Sequence, residues 1–314
     1  MTTRPARPRR SQLSVPGSSE KMLAKGAASN SDHVFCDLED AVAPSAKVEA
    51  RDKIAWALNN LDWGTKTRCV RINDVTTQWC HDDIITIVEK AGRNVDTIML
   101  TKPYTAADVI FLDRMLGQLE AKLGLERRIG IEVLIEEVQA LQNVEQIAGC
   151  SDRMEALIFG MGDYSSSQGL DWLAIGDQSV YPGDVLHYAR FRLTMAARAA
   201  GIDAIDGPYP DVRNEAGYRA QATMAKALGM VGKWAIHPAQ IEPALEIFAP
   251  TEQEVDRAHR MEAAFRIAQD EGLGAVMFEG NMIDIATLRL VRGTLAKAEL
   301  YRMAPAPSGS GAVA

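Results

Sequence analysis

A (β/α)8 barrel is the fold this sequence predicts, on three observations. A short apolar strand, a loop bearing polar residues and a helix recur in that order. Eight such units in about 250 residues is the count for that barrel. The turn after the first strand reads "VPGSSEK", with no glycine-rich dinucleotide fingerprint, which leaves a doubly wound open sheet as the runner-up. Composition agrees: 314 residues, 47% hydrophobic and 24% charged, describe an ordinary globular chain long enough for one large barrel or two smaller domains.

The strands read in order as "QLSVPG", "HVFCDLED", "TRCVRIND", "TIMLTKP", "IGIEVLIE", "ALIFGMGD", "IDAIDGPYP" and "KWAIHP". Helical spacing falls between them, from Ala46 to Asn60, from Trp79 to Ala91 and from Leu186 to Ala200. Between the fifth and sixth strands, Val138, Leu141, Val144 and Ile147 recur every three residues, as on one helix face. This predicts a barrel over 13–248 and a helical extension over 249–302, which could serve as a lid or subunit-contact arm. In that extension, Pro250 and Thr251 open a helix to Gln269, "GAVMFEGNMID" forms an extended or hairpin segment ending at Asp284, and a last helix runs through Glu299. Residues 1–12, with four arginines, two prolines and no acid, read as a loose tail, and so do residues 303–314.

A net charge of −8 argues against a general nucleic-acid or anionic-membrane binder. Cys36, Cys69, Cys80 and Cys150 show no paired spacing, which fits reduced thiols in a cytoplasm. No apolar run approaches the roughly 20 residues that cross a bilayer.

Active sites of this barrel sit at the C-terminal ends of the strands. Those ends carry Glu39 and Asp40, Arg71 and Asn73, Lys102, Glu136, Asp163, Asp206 and His237. Glu136 and Asp163 end strands that a right-handed crossover makes parallel neighbours, so their oxygens should emerge side by side. Two such acids with no nearby Cys or His suit a hard cation such as Mg2+, with Mn2+ as a substitute. The alternative is that each acid caps the helix after it. Arg71 suits a carboxylate or an enolate oxygen, or else pairs with Glu39 or Asp40. Lys102 and His237 could equally be loop chemistry. Nothing supports a nucleophile elbow, a Cys–His–Asn set or a Walker loop.

Seven segments, "VPGSSEKMLAKGA", "DLEDAVAPSAK", "LDWGTKTRCVRIN", "VLIEEV", "GMGDYSSSQG", "DGPYPD" and "GKWAIHPAQI", resemble the citrate lyase β-subunit-like group of the HpcH/HpaI aldolase superfamily, and within it the malyl-CoA lyase branch. They stand in order from Gln12 to about Ala298. The resemblance implies a Mg2+-dependent carbon–carbon lyase that reversibly cleaves malyl-CoA or β-methylmalyl-CoA to glyoxylate plus acetyl-CoA or propionyl-CoA. A citramalyl-CoA lyase, a (3S)-malyl-CoA thioesterase and a citrate lyase β-subunit acting on a carrier-protein thioester are the alternatives. It implies Mg2+ on Glu136 and Asp163, and Arg71 on the acyl carbonyl or enolate. Lys25 would lie near the coenzyme A phosphates, and the backbone around Gly162, Ile236 and His237 would line the cleft. Asp40 would order a metal-bound water without touching the ion, with Glu39 and Lys102 supporting it. Asp284 would reach a neighbouring subunit's site as acid or base in a trimer or hexamer. Ser14 and Ser19 stand where malyl-CoA lyases carry an aromatic residue and an arginine, and the loop after "SSSQG" is shorter, so coenzyme A contacts and acyl preference are expected to differ.

Overall fold

A computed structural model describes residues 4–171 and 183–303; all but the first residue of the tail expected at 303–314 and most of the loop after "SSSQG" lie outside them. Eight strands form a closed barrel in sequence order: β1 (Ser11–Pro16), β2 (His33–Asp37), β3 (Thr67–Arg71), β4 (Thr97–Leu100), β5 (Gly130–Ile135), β6 (Met154–Phe159), β7 (Asp203–Asp206) and β8 (Gly232–Ala235). Every neighbouring pair is parallel, and β1 closes on β8. The strands are apolar on both faces because both faces are covered. Phe35, Cys69, Met99, Leu134, Ile158, Ile205 and Trp234 meet inside the barrel, while Val34, Val70, Ile98, Val133 and Leu157 pack outward against the helices.

The barrel helices are α1 (Glu20–Ala27), α2 (Lys47–Asn60), α3 (Cys80–Ala91), α4 (Ala106–Leu123), α5 (Val138–Gln142), α6 (Val144–Gly149), α7 (Met161–Gln168), α8 (His187–Ala199), α9 (Glu215–Ala227) and α10 (Ile241–Phe248). A capping box of Thr105 and Asp108 starts α4, and Gly124 in the left-handed conformation ends it. The single helix expected from Val138 to Ile147 is two short ones. Asn143 breaks it, with a backbone outside the helical range and a side-chain amide donating to the Tyr104 carbonyl at 2.9 Å.

The described residues fall into two compact units, one spanning Arg9–Phe248 and one beginning at Ala249. The second holds α11 (Glu252–Asp270), an antiparallel hairpin of β9 (Ala275–Phe278) and β10 (Asn281–Asp284), and α12 (Ile285–Leu300). Its own core joins Phe265, Ile283 and Leu288. The hairpin turn has positive φ at both Glu279 and Gly280, the twist that matches paired strands.

The N-terminal tail reading needs correction. β1 begins at Ser11, Arg10 pairs with Asp32 at 2.7 Å, and Arg9 is buried among Glu132, Glu155 and Asp203. A guanidinium sealed this way requires carboxylate partners, and all three come from strands β5, β6 and β7. Glu132 also takes His33 at 3.0 Å and Thr97 at 3.1 Å. None of the helices is long and apolar enough to cross a membrane among the described residues, and Cys36, Cys69, Cys80 and Cys150 are free thiols.

Burial alone would raise the carboxyls of Asp37, Asp96 and Asp206. Their partners Arg71, Arg68, and the Arg190–Lys233 pair overcome it and hold all three below the ordinary range. A depressed carboxylate contributes stability that is complete above its unfolded value, near pH ~4, and is lost as pH falls through the folded value. Thermal melts followed by circular dichroism should therefore stay level from about pH 7 to 5 and drop steeply below pH ~4; a melting temperature indifferent to acid would contradict these pairings.

Candidate active site

The mouth of the barrel is built around Arg71, the last residue of β3. It stands opposite Asp37, the last residue of β2, in the parallel register. Arg71 Nε and Nη2 each donate to one Asp37 oxygen at 2.6 Å, a two-pronged pair. The backbone N–H groups of Glu39 and Ala41 supply the other bonds to Asp37, at 2.9 Å each. Phe35 and Trp234 flank the guanidinium, with ring centroids 5.7 and 5.5 Å from its carbon, and Trp234 is fixed by its indole N–H to Gln12 at 3.0 Å. Arg71 is only 6% exposed, so its plane and charge are set in advance.

Glu39 lies 3.3 Å from Arg71 Nη1 and accepts Lys102 Nζ at 2.6 Å. The same ammonium is 3.5 Å from Asp40 and 3.6 Å from Asp163. The Lys102 backbone N–H donates to Glu136 Oε1 at 2.9 Å. Glu39, Asp40, Arg71, Lys102, Glu136 and Asp163 therefore share one cluster, as expected. Asp163 is not at a strand end: β6 stops at Phe159 and Asp163 sits in the first turn of α7, where an anion is favoured. Neither acid makes a side-chain cap. Burial, with Asp163 and Glu39 adding to it, pushes the Glu136 carboxyl well above its usual range. Carboxylate oxygens alone, one of them held against its own charge, are a hard donor set that fits Mg2+.

Two residues of the expected rim serve the scaffold instead. Asp206 is fully buried against Arg190 and Lys233. Asn73 binds Lys47, the Leu38 carbonyl and Asp83. Sequence reasoning missed Asp37 and Lys47. Lys47 Nζ ties the Leu38 and Glu39 carbonyls to Asn73 at 2.6–2.8 Å. The available signal for Asp37 was the strand alternation His33, Phe35, Asp37, which turns it inward.

Beside the mouth, Ser14, Met22, Lys25, Ile236 and His237 line a cavity of about 450 Å3 between β1, α1 and the end of β8. His237 is exposed and its Nδ1 accepts the Ala239 N–H at 3.2 Å, starting a helical turn. Ser19 caps α1 through the Met22 N–H at 3.3 Å and is not among the residues lining this cavity. Gly162 is exposed, and a Cβ there would meet open space. Asp284 belongs to the second unit and caps α12 through the Thr287 N–H at 3.0 Å, which lowers its pKa.

At the opposite, N-terminal end, ligating atoms of His33, Cys69 and Glu132 lie within 4.8 Å of one another. Arg9, Gln12 and Thr97 already occupy Glu132. Burial, with the Glu132 charge, pushes the Cys69 thiol up, so this is a packed barrel base with a neutral thiol.

Gly160 is the glycine of the mouth that packs against Glu136. A Cβ there would lie 2.5 Å from Glu136 Cβ and 2.9 Å from its Oε2. Gly160→Ala should displace Glu136 and lower stability by about 1–3 kcal/mol, the usual range for overpacking, measured by urea denaturation. Stability equal to the parent would show that Glu136 has room to spare.

The family model described as HpcH/HpaI aldolase/citrate lyase matches residues 10–238. An L-malyl-CoA/beta-methylmalyl-CoA lyase of Cereibacter sphaeroides is 39% identical over 94% of this chain and 96% of its own. A (3S)-malyl-CoA thioesterase of the same species is 33% identical over 94% and 96%. The Mycobacterium tuberculosis CitE protein, solved in complex with magnesium, acetoacetate and coenzyme A, is 28% identical, with a TM-score of 0.73 over 92% of this chain and 97% of its own. With its closed parallel barrel and its match along most of its length, the chain belongs to the HpcH/HpaI aldolase/citrate lyase family.

Proposed function

We propose that this protein is a Mg2+-dependent acyl-CoA lyase that cleaves malyl-CoA or β-methylmalyl-CoA reversibly to glyoxylate and acetyl-CoA or propionyl-CoA. The observation that carries this reading is a preset arginine beside a carboxylate cluster at the barrel mouth. Glu136 and Asp163 would hold the ion, with Glu39 and Asp40 as neighbours that order its waters. Magnesium, when bound, would supply Lewis-acid stabilisation for oxygen charge on the oxoacid side.

The chain's own groups account for the other side of the bond. Asp37 takes two of the five N–H donors of Arg71, which leaves donors for the thioester oxygen as it gains enolate charge. The cavity of Ser14, Lys25, Ile236 and His237 suits a coenzyme A chain, with Lys25 toward a phosphate. Open space at Gly162 means packing does not demand glycine there, in keeping with close approach of a ligand to that backbone. Asp284, kept ionised by its capping bonds, is the proposed base for acetyl-CoA and, once protonated, the acid for the enolate carbon. It would act in a neighbouring copy of the chain. Exposed Tyr188, Phe191 and Met195 on α8, and Met277, Met282 and Leu290 in the second unit, support a homo-oligomer, because apolar patches of this kind mark contact surfaces.

Product analysis with malyl-CoA, β-methylmalyl-CoA and citramalyl-CoA, with and without Mg2+, tests the reaction. Glyoxylate plus acetyl-CoA is expected only with the metal, and Asp163→Asn should abolish it. Arg71→Lys should slow it by about 100-fold or more, the scale of losing one preset donor. Free malate as the product would identify a thioesterase instead. A chain that turns over no free thioester would point to a carrier-protein substrate. For Asp284, mixing inactive Asp284→Ala with inactive Asp163→Asn should restore part of the activity after subunit exchange; silence despite verified exchange would place Asp284 within its own subunit's chemistry.

A further inference from the structure

Lys102 holds a backbone conformation that lysine avoids. Its φ is +48°, and among the described residues of Arg9–Phe248 it is the one non-glycine residue with positive φ. That conformation costs free energy for any residue with a Cβ, and such costs cluster where a site uses them. Glycine would sit there without strain, so what a lysine adds is its side chain.

That side chain and its own N–H reach both members of the carboxylate pair. The backbone N–H holds Glu136 Oε1 at 2.9 Å. The ammonium lies 2.6 Å from Glu39, 3.5 Å from Asp40 and 3.6 Å from Asp163. A divalent ion on Glu136 and Asp163 would therefore share its ligands with a fixed positive charge only a few ångströms away. At such distances like charges repel strongly in a partly buried site.

We infer that Lys102 is a positioning residue that sets the metal affinity of the barrel mouth: its backbone aims Glu136, and its ammonium holds divalent binding down. This rests on the proposed role of Glu136 and Asp163 as metal ligands. The consequence is an ion held weakly by the protein alone and firmly once an oxoacid adds its own oxygens, in line with the way Mg2+ is bound through one or two carboxylates plus substrate.

The test is Mn2+ binding to the full chain without substrate, followed by electron paramagnetic resonance. Lys102→Met and Lys102→Gly remove the charge, and the glycine variant suits the positive φ, so folding is secured by at least one of them. Both should bind Mn2+ about tenfold tighter than the parent, a moderate estimate given solvent screening. Lys102→Arg, which keeps the charge, should stay within about threefold of the parent. Asp163→Asn should lose binding. If Asp163→Asn loses Mn2+ while both neutral Lys102 variants bind as the parent does or more weakly, this inference is overturned and the metal assignment stands. Absence of Mn2+ binding in the parent and in both neutral Lys102 variants, or an Asp163→Asn variant that binds it as well as the parent, overturns the metal assignment and this inference with it.

Discussion

A guanidinium enclosed by two aromatic rings and two strands is tolerable only with a carboxylate against it, because the desolvation of a lone charge far exceeds what packing returns. Asp37 supplies that carboxylate to Arg71 from the adjacent strand, at the register position opposite it. The arrangement at the mouth depends on this pair. Once Asp37 has taken the Nε–Nη2 edge of the guanidinium, its plane is fixed. Glu39 can then lean on Nη1, and Lys102 is drawn to Glu39. The Lys102 backbone in turn orients Glu136. Each charge finds its place from the one before it, and the acids outnumber the cations by enough to leave carboxylate oxygens for an incoming ion.

The barrel was legible because a strand buried on both faces must be an unbroken apolar run, and eight such runs alternate with helical spacing. Strand ends were less so. Glu39 and Asp40 look like continuations of "HVFCD", yet pairing stops at Asp37, and the chain then turns under the hold of Lys47 on the Leu38 and Glu39 carbonyls. Asp37 escaped notice because an acid inside an apolar run reads as the run's border. Its partner is 34 residues away, a separation that local pattern does not encode. Asp206 shows the reverse error. It has the placement of a rim acid, but Arg190 and Lys233 claim it from inside the fold. A side chain's role here follows from which cation arrives first, and that is a property of three-dimensional packing.

Family membership and geometry carry different parts of the functional reading. The family narrows the chemistry to carbon–carbon lyases and their thioesterase relatives. The geometry says how this chain would perform it: a preset donor on one side of the scissile bond and hard oxygen ligands on the other. The cavity beside β1 and β8 is apolar along most of its wall, with Lys25 as its charged edge. That division suits a long thioester whose reacting end must enter the barrel while its bulk stays outside. Ser14 in that wall is small, and Met22, Ile236 and Pro238 supply most of its bulk beside Leu13 and Val15.

Arg9 has a bearing on biosynthesis. The acids it must neutralise, Glu132, Glu155 and Asp203, follow it in the chain by 123, 146 and 194 positions. Until the arginine is seated, these acids would crowd one another at the barrel floor, and β1 has β8 as one of its two neighbours. The nascent chain must therefore keep its first strand available until almost the entire barrel has been translated.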